Sequence, residues 1–375
     1  MQFWDTTFDY ATATKVLVIP NITNYSDIDK DSFVDVLCNQ IESLNKRGNF
    51  YWYVIVPYPS KRLNLDNVKQ LKSYISGDMI KMRTTMPIEI VSYLEKVDYD
   101  VVYSHLPDWY AIGRYTDKKI IGYSHWWELS TCNAEDRKNH ARNLVMESIG
   151  ALRMSKCYLN TQDQKNRVLE EAKEWLSEDM VKQLDDKLVV WNLGMNRDNI
   201  VTELQPKENI IVFNHRAAAY KGYPDFIKLM EEYRLQRTDF KVWVPQLKGT
   251  PEFDWIDNTK LPKGEYYKQL GKCKVGIQMR QSNYGWSVAA TDCMMNGTPM
   301  IFQESDCYRE IQPDGLFFKY KKDLFSTLDK LLDDTSFLTQ NSLKSIQRCQ
   351  VLCDNDNTMI GDLYNSLVIN QLATN

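Results

Sequence analysis

Several features are scarce in this chain of 375 residues. No run approaches the ~20 consecutive apolar residues that a membrane-spanning helix needs. The amino-terminal MQFWDTTFDYATATK has no basic stretch followed by an apolar one, so neither an embedded nor an exported protein is expected. An excess of charge of one sign is also missing: Lys+Arg 46 stand against Asp+Glu 50, a net of -4, which creates no global field toward phosphate polymers or anionic lipid. Any such contact has to come from a local patch. The 8 cysteines are scattered, several inside apolar runs, and none forms the C-x-x-C pair of a zinc or redox site. They read as reduced, buried thiols of a cytoplasmic protein. No tandem repeat, low-complexity tract or charge block interrupts the chain.

What is present is alternation. Lys15 to Pro20 reads as a strand, Ser32 to Leu44 as a helix with Ser32 as its N-cap, and Phe50 to Val56 as a second strand. Val101 to Tyr103 and Lys119 to Tyr123 follow as strands, Ala134 to Leu152 as a helix, and Cys157 to Leu159 as another short strand. Near-continuous apolar strands between helices predict parallel sheet buried on both faces, which is the α/β class. After the apolar run Leu188 to Gly194 comes a polar stretch with weak periodicity, residues 195–208, and then the series restarts. Ile210 to Phe213, Phe240 to Val244, Lys274 to Met279 and Met300 to Gln303 read as strands, and Pro224 to Tyr233 as a helix. Two Rossmann-like domains are expected, over 1–195 and 205–350, with a further helix from Thr358 to Leu372.

Two cations stand where a strand hands over to a helix. In FNHRAAAYKGYPDF, Arg216 and Lys221 lie between the apolar run ending at Phe213 and the helix from Pro224. Ligands of open α/β sheets sit beyond the carboxyl ends of strands, where helix N-termini favour anions, so a phosphate there would meet both side chains. The alternative is a pair of solvated loop cations. A second connection of the same kind follows the strand ending at Met279: a small-residue turn over Ser282 to Ser287, then a helix carrying Asp292 that stops at Gly297-Thr298-Pro299. Asp292 is about one and a half turns into that helix and can accept two hydrogen bonds from a ribose, or be an ordinary surface residue. Asp27-Ile28-Asp29 and Asp354-Asn355-Asp356 read as solvated turns, not as metal motifs.

Together these stretches resemble retaining glycosyltransferases of the glycosyltransferase-B fold. The motif R-x4-K-G of that group stands here as Arg216-Ala-Ala-Ala-Tyr-Lys221-Gly222. Its E-G-F-G-x4-E-A-M-A-x-G-T-P segment aligns without a gap on Tyr284, Gly285, Trp286, Ser287, Asp292 and Gly297-Thr298-Pro299. Weaker matches are Trp191-Asn192-Leu193-Gly194 with the interdomain P-N-G, Tyr123-Ser124-His125 with T-x-H, and Glu310 to Gly315 with E-x-V-x-x-G. The likeness spans residues 187–316 and is thin before them. There are departures: Asn21 to Tyr25 has no glycine where a glycine-rich turn is usual, His215 replaces a glycine, and Tyr284 replaces a glutamate that commonly sits near the transferred sugar.

The resemblance implies two Rossmann-like domains facing a central cleft, with the C-terminal helix (358–375) returning to the first. It implies transfer of a sugar from a nucleoside diphosphate donor, most simply a UDP sugar, with Arg216 and Lys221 holding the departing diphosphate and no metal or other cofactor required. Tyr284, Gly285, Trp286, Ser287 and Asp292 fall on donor-binding positions, and His125 on one near the transferred sugar; His105, also after a strand, is a weaker candidate, and His140 reads as a helix-face residue. Retention implies that the acceptor hydroxyl attacks the face the diphosphate leaves. Trp109, Trp126, Trp127 and Glu128 follow first-domain strands and are candidates for stacking on an acceptor or for packing an interdomain wall. Sparse glycine with abundant Asn, Asp, Lys and Tyr is a composition met in bacteriophage proteins, which makes a hydroxylated or hydroxymethylated DNA base the first acceptor expected and a surface polysaccharide the second. A nucleotide-sugar epimerase and a noncatalytic nucleotide-sugar binder are the readings from other classes.

Overall fold

The computed structural model of the chain describes residues 9–22, 27–73, 88–106, 113–125, 127, 137–193, 197–280 and 285–368. The chain divides into two compact units, one made of Met1–Asn160, Lys165–Trp191 and Asn357–Asn375, the other of Thr161–Gln164 and Asn192–Asp356.

In the first unit, β1 (Thr14–Ile19), β2 (Phe50–Val56), β3 (Val68–Lys72), β4 (Val101–Ser104), β5 (Lys119–Ser124), β6 (Lys156–Leu159) and β7 (Leu188–Val190) form a sheet in the order β3-β2-β1-β4-β5-β6-β7. Its neighbouring strands are parallel. Helices α1 (Ser32–Asn45), α2 (Ile88–Lys96), α3 (Arg137–Arg153), α4 (Gln162–Ala172) and α5 (Glu178–Lys187) lie between the strands in sequence. The strands are continuous apolar runs because both faces are covered: Val16, Leu17, Val18 and Ile19 are all fully buried. One expectation is corrected. The N-cap of α1 is Asp31, not Ser32: its carboxylate accepts from the backbone N–H of Phe33 at 2.8 Å and of Val34 at 3.4 Å.

The second sheet has the order β10-β9-β8-β11-β12-β13, built from β8 (Glu208–Val212), β9 (Lys241–Trp243), β10 (Ile256–Asp257), β11 (Cys273–Gln278), β12 (Met300–Gln303) and β13 (Leu316–Phe318). It too is parallel. Its helices are α6 (Tyr223–Arg234), α7 (Lys263–Lys272), α8 (Val288–Met295), α9 (Asp306–Ile311) and α10 (Lys321–Asp333).

The last helix, α11 (Thr335–Val368), is far longer than the expected 358–372, because its buried face includes Asn341, Ser342 and Ser345 beside Leu338, Cys349 and Leu352. Its end belongs to the first unit, where the Asp362 carboxylate accepts from Lys156 Nζ at 2.8 Å and from the Tyr158 hydroxyl at 2.7 Å. Asp354 and Asp356 therefore lie in a helix and not in a turn, and Asp354 pairs with Arg197 at 3.0 Å. Asp29 is likewise not a solvated turn residue, since its carboxylate accepts from the Ser60 hydroxyl at 2.5 Å. Seven cysteines are buried free thiols, and burial lifts Cys38 and Cys273 to about 12; Cys132 lies outside the described residues.

Candidate functional site

The connection from β8 to α6 is built by its backbone. Phe213, Asn214 and His215 continue the strand into the interior, and Arg216 makes one further parallel bridge with Gln246. The chain then tightens into a 3-10 turn, Ala219–Lys221, and reverses at Gly222, whose φ is 75°. A Cβ at Gly222 would lie 2.5 Å from Met279 Cβ, so both conformation and space require glycine. Gly222 is also the N-cap of α6; it supplies no capping side chain, and Pro224 in the first turn has no N–H.

This turn holds the two cations. Arg216 is exposed and its guanidinium has no carboxylate partner among the described residues. Lys221 is half-buried, and burial, reinforced by the charge of Arg216, draws its ammonium down to about 8. A like charge beside a partly desolvated ammonium disfavours its charged form.

The second connection, from β11 to α8, meets the first through hydrogen bonds. Ser287 is the N-cap of α8, its hydroxyl accepting from the Ala290 N–H at 3.2 Å. The same hydroxyl donates to Gln278 Oε1 at 2.5 Å, and His215 Nε2 donates to that oxygen at 2.5 Å. Because an amide oxygen only accepts, His215 carries its proton on Nε2. Burial, helped by the charge of Lys221, holds the His215 imidazole neutral, down to about 3. Gln278 Nε2 donates onward to the Met279 carbonyl at 2.8 Å and to the Tyr308 hydroxyl at 3.0 Å.

One and a half turns into α8, Asp292 is half-buried, and burial pushes its carboxyl up to about 7 against the opposing pull of Lys263. The Tyr266 hydroxyl donates to Asn214 Oδ1 at 2.6 Å and lies 3.4 Å from Asp292 Oδ2. Asn214 Nδ2 donates to the Ala289 carbonyl at 3.0 Å, closing a path from the first connection to α8. Gly285 and Trp286 are buried just before the cap, and the Trp286 indole N–H has no hydrogen-bond partner among the described residues. Tyr284 lies outside them.

The structure thus brings Arg216, Lys221, Ser287 and Asp292 onto two connections joined by Asn214, His215, Gln278 and Tyr266. Sequence reasoning missed Asn214, Gln278 and Tyr266. Asn214 stands two residues before Arg216 and could have been suspected from that position, whereas Tyr266 sits in α7 with no motif around it. Glu310 is a different case: its carboxylate accepts from the backbone N–H groups of Gln162 at 2.7 Å and Asp163 at 2.8 Å, which gives it a structural task.

In the first unit, His105 follows β4 and His125 follows β5, and their rings meet, His105 Nδ1 to His125 Nε2, at 3.1 Å. Burial holds both imidazoles neutral, His105 down to about 3 and His125 well below the ordinary value. Phe33 packs on the His125 ring at 4.0 Å between centroids. The His125 carbonyl accepts from Asn160 Nδ2 at 2.7 Å, and Asn160 accepts from the Tyr123 hydroxyl at 2.8 Å. Trp127 is 1% exposed, so it offers no open ring face for stacking. Trp109, Trp126 and Glu128 lie outside the described residues. Among the described residues no group of three or more His, Cys, Asp or Glu side chains could hold a metal ion, and no helix is long and apolar enough to cross a membrane.

No family model matches the chain, and no curated protein matches it. Solved structures do. Sucrose-phosphate synthase from Thermosynechococcus elongatus superposes with a TM-score of 0.72 at 13% identity, covering 94% of this chain and 99% of the other. HepE of Anabaena, solved in complex with UDP and glucose, gives 0.64 at 10% identity, over 97% and 100% of the two chains. A trehalose-6-phosphate synthase studied for glycosyl transfer with retention gives 0.65 at 10% identity, over 94% and 99%. These likenesses show that the chain has the glycosyltransferase-B fold, two parallel-sheet α/β units in one polypeptide.

Proposed function

We propose that this protein is a glycosyltransferase that moves a sugar from a nucleoside diphosphate donor, a UDP sugar, to an acceptor hydroxyl with retention at the anomeric carbon. The observation that carries the reading is the placement of Arg216 beside the half-buried Lys221 on one strand-to-helix connection, before a helix start with no side-chain cap. As the bond to the sugar breaks, negative charge gathers on the diphosphate. The two cations stabilise that charge, which is the service a divalent ion gives in metal-dependent transferases. Asp292 holds the ribose hydroxyls, the Gly285 to Ser287 turn lines the donor, and His125 stands by the transferred sugar. The UDP and glucose bound by HepE, and the retention reported for the trehalose-6-phosphate synthase, support this reading.

The acceptor is proposed from composition, sparse glycine with abundant Asn, Asp, Lys and Tyr. A hydroxymethylated base in DNA is the leading candidate and a surface saccharide the second. The test is release of nucleoside diphosphate from a panel of nucleotide sugars, with and without hydroxymethylated DNA and with oligosaccharides. Release that depends on an acceptor supports transfer. Acceptor-free conversion of the sugar would instead identify an epimerase, and binding without release a noncatalytic binder.

A further inference from the structure

Tyr266 serves two oxygens with one proton. Its hydroxyl, carried by α7, lies 2.6 Å from Asn214 Oδ1 and 3.4 Å from Asp292 Oδ2. An amide oxygen only accepts, and so does an ionised carboxylate, whereas a phenol has a single O–H and can also accept. The three groups therefore have two consistent arrangements. With Asp292 protonated, its O–H can point at the phenol oxygen while the phenol donates to Asn214. With Asp292 ionised, a proton left on Asn214 sets bare oxygens of the phenol and the carboxylate against each other, so the phenol turns to Asp292 and Asn214 loses its donor.

The phenol is held at this choice. Trp243 of β9 lies beside its ring at 5.9 Å between centroids, and Tyr267 at 5.3 Å. The Trp243 indole is itself fixed, donating to the Thr259 carbonyl at 3.1 Å. On the other side Asn214 is buried, and its Nδ2 is engaged by the Ala289 carbonyl at 3.0 Å, so its Oδ1 stays turned toward Tyr266. The titratable groups that face Asp292 are Lys263 and Tyr266 from α7, Cys293 on α8 and Cys349 from α11. Burial raises both thiols, which leaves them uncharged at neutral pH. Lys263 and Tyr266 are thus the groups that favour the ionised carboxylate against its burial.

We propose that Tyr266 is a positioning residue of the donor site, whose one proton passes from Asn214 to Asp292 when the carboxylate is to receive ribose hydroxyls. This rests on the reading that Asp292 holds the ribose of the donor. Donation by the phenol stabilises the ionised carboxylate, so Tyr266 sets how much of the protein is ready for the donor at neutral pH. The same shift takes a bond from Asn214, two residues before Arg216, and so links the charge on α8 to the turn that carries the cations.

The experiment is a carboxyl 13C titration of Asp292 in the full chain labelled with 13C-aspartate, assigned through Asp292→Asn, alongside calorimetric UDP affinities from pH 6 to 9. Tyr266→Phe should raise the Asp292 midpoint by about one pH unit, and Asn214→Ala, which removes the competing acceptor, should lower it. The UDP affinity of Tyr266→Phe should be about fivefold below the parent's at pH 7 and equal to it within about twofold at pH 9, because the carboxyl then ionises in both. Lys221 titrates alike in the two proteins and cancels from that ratio. In the Asp292→Asn background, Tyr266→Phe should change UDP affinity less than about twofold at either pH. An unmoved midpoint in both variants, or an affinity ratio that does not vary with pH while Asp292→Asn still weakens UDP, overturns the proposal and leaves a tyrosine that only packs. If Asp292→Asn binds UDP as the parent does, the ribose assignment falls with it. Failure of UDP to bind the parent would strike the transferase reading, and the carboxyl titration would still decide where the Tyr266 proton goes.

Discussion

His215 and Ser287 donate to the same atom. Gln278 Oε1 accepts from His215 Nε2 and from Ser287 Oγ, each at 2.5 Å, with the two donors 3.4 Å apart. One amide oxygen thereby ties the turn that carries Arg216 to the start of α8. A glycine before the arginine, usual in the resembled group, makes no such tie.

His215→Gly should therefore loosen the cradle without emptying it. The expected outcome is a nucleoside diphosphate affinity weakened about tenfold, for the loss of about one buried hydrogen bond, while His215→Gln keeps its amide near the position of Nε2 and stays within about threefold. Titration calorimetry of both variants checks this. Equal affinity in the glycine variant and the parent would show that the tie has no bearing on the site.

Removing either cation should be severe. Arg216→Ala and Lys221→Ala are each expected to cut turnover about a hundredfold or more, as loss of one preorganised charge on a leaving group does, with little change in stability. Because the Lys221 ammonium titrates near 8 in the free protein, UDP affinity should decline as pH rises through that value, and Lys221→Arg should hold affinity level to higher pH. Near-normal turnover in both alanine variants rejects the diphosphate-holding role.

How much of this was legible follows from where each element lies. The interior strands β1, β2, β4, β5 and β12 announce themselves as apolar runs because neighbours cover both their faces. The edge strands β3 and β10 do not: Val68–Lys72 reads VKQLK and buries only Leu71, and Ile256–Asp257 is two residues long. The cations were legible through their spacing around a strand-to-helix turn. The groups that join them were not, because Gln278 looks like one more strand residue and Tyr266 like one more helix residue until the fold brings them to Ser287 and Asp292. The His105–His125 contact joins residues 20 apart on adjacent strands, a pairing that only the order of β4 and β5 fixes.

Asp292 should act on binding more than on rate. Asp292→Ala is expected to raise the donor KM about tenfold with kcat changed less than about threefold, since a ribose contact is held equally in ground and transition states. With its carboxyl raised to about 7, the parent should bind donor better as pH climbs through that value and the ionised group becomes free to accept two hydroxyls. Asp292→Asn should abolish that slope. A donor KM indifferent to both substitutions removes the ribose assignment.

Acid should unfold this protein early, and the sign follows from the histidines. His105, His125 and His215 are buried neutral, with folded values of about 3, well below the ordinary value, and about 3. Above the unfolded value near 6.5 both states are neutral and the stability is intact; as pH falls below it the unfolded chain takes up protons that the folded chain refuses. Each such histidine contributes a slope of about 1.4 kcal/mol per pH unit in that window. Asp292 has the opposite sign, because a carboxyl raised in the folded state is stabilising when protonated, and its effect below pH 7 offsets at most one histidine. The urea midpoint should consequently drop between pH 6.5 and 5 in the first unit, through His105 and His125, and stay nearly level in the second, where Asp292 offsets His215. His105→Asn should flatten the first unit's decline by about one proton, and Asp292→Asn should uncover a decline in the second. A first-unit midpoint that stays level from pH 7 to 5 would mean that its rings are open to water and protonated in the folded protein.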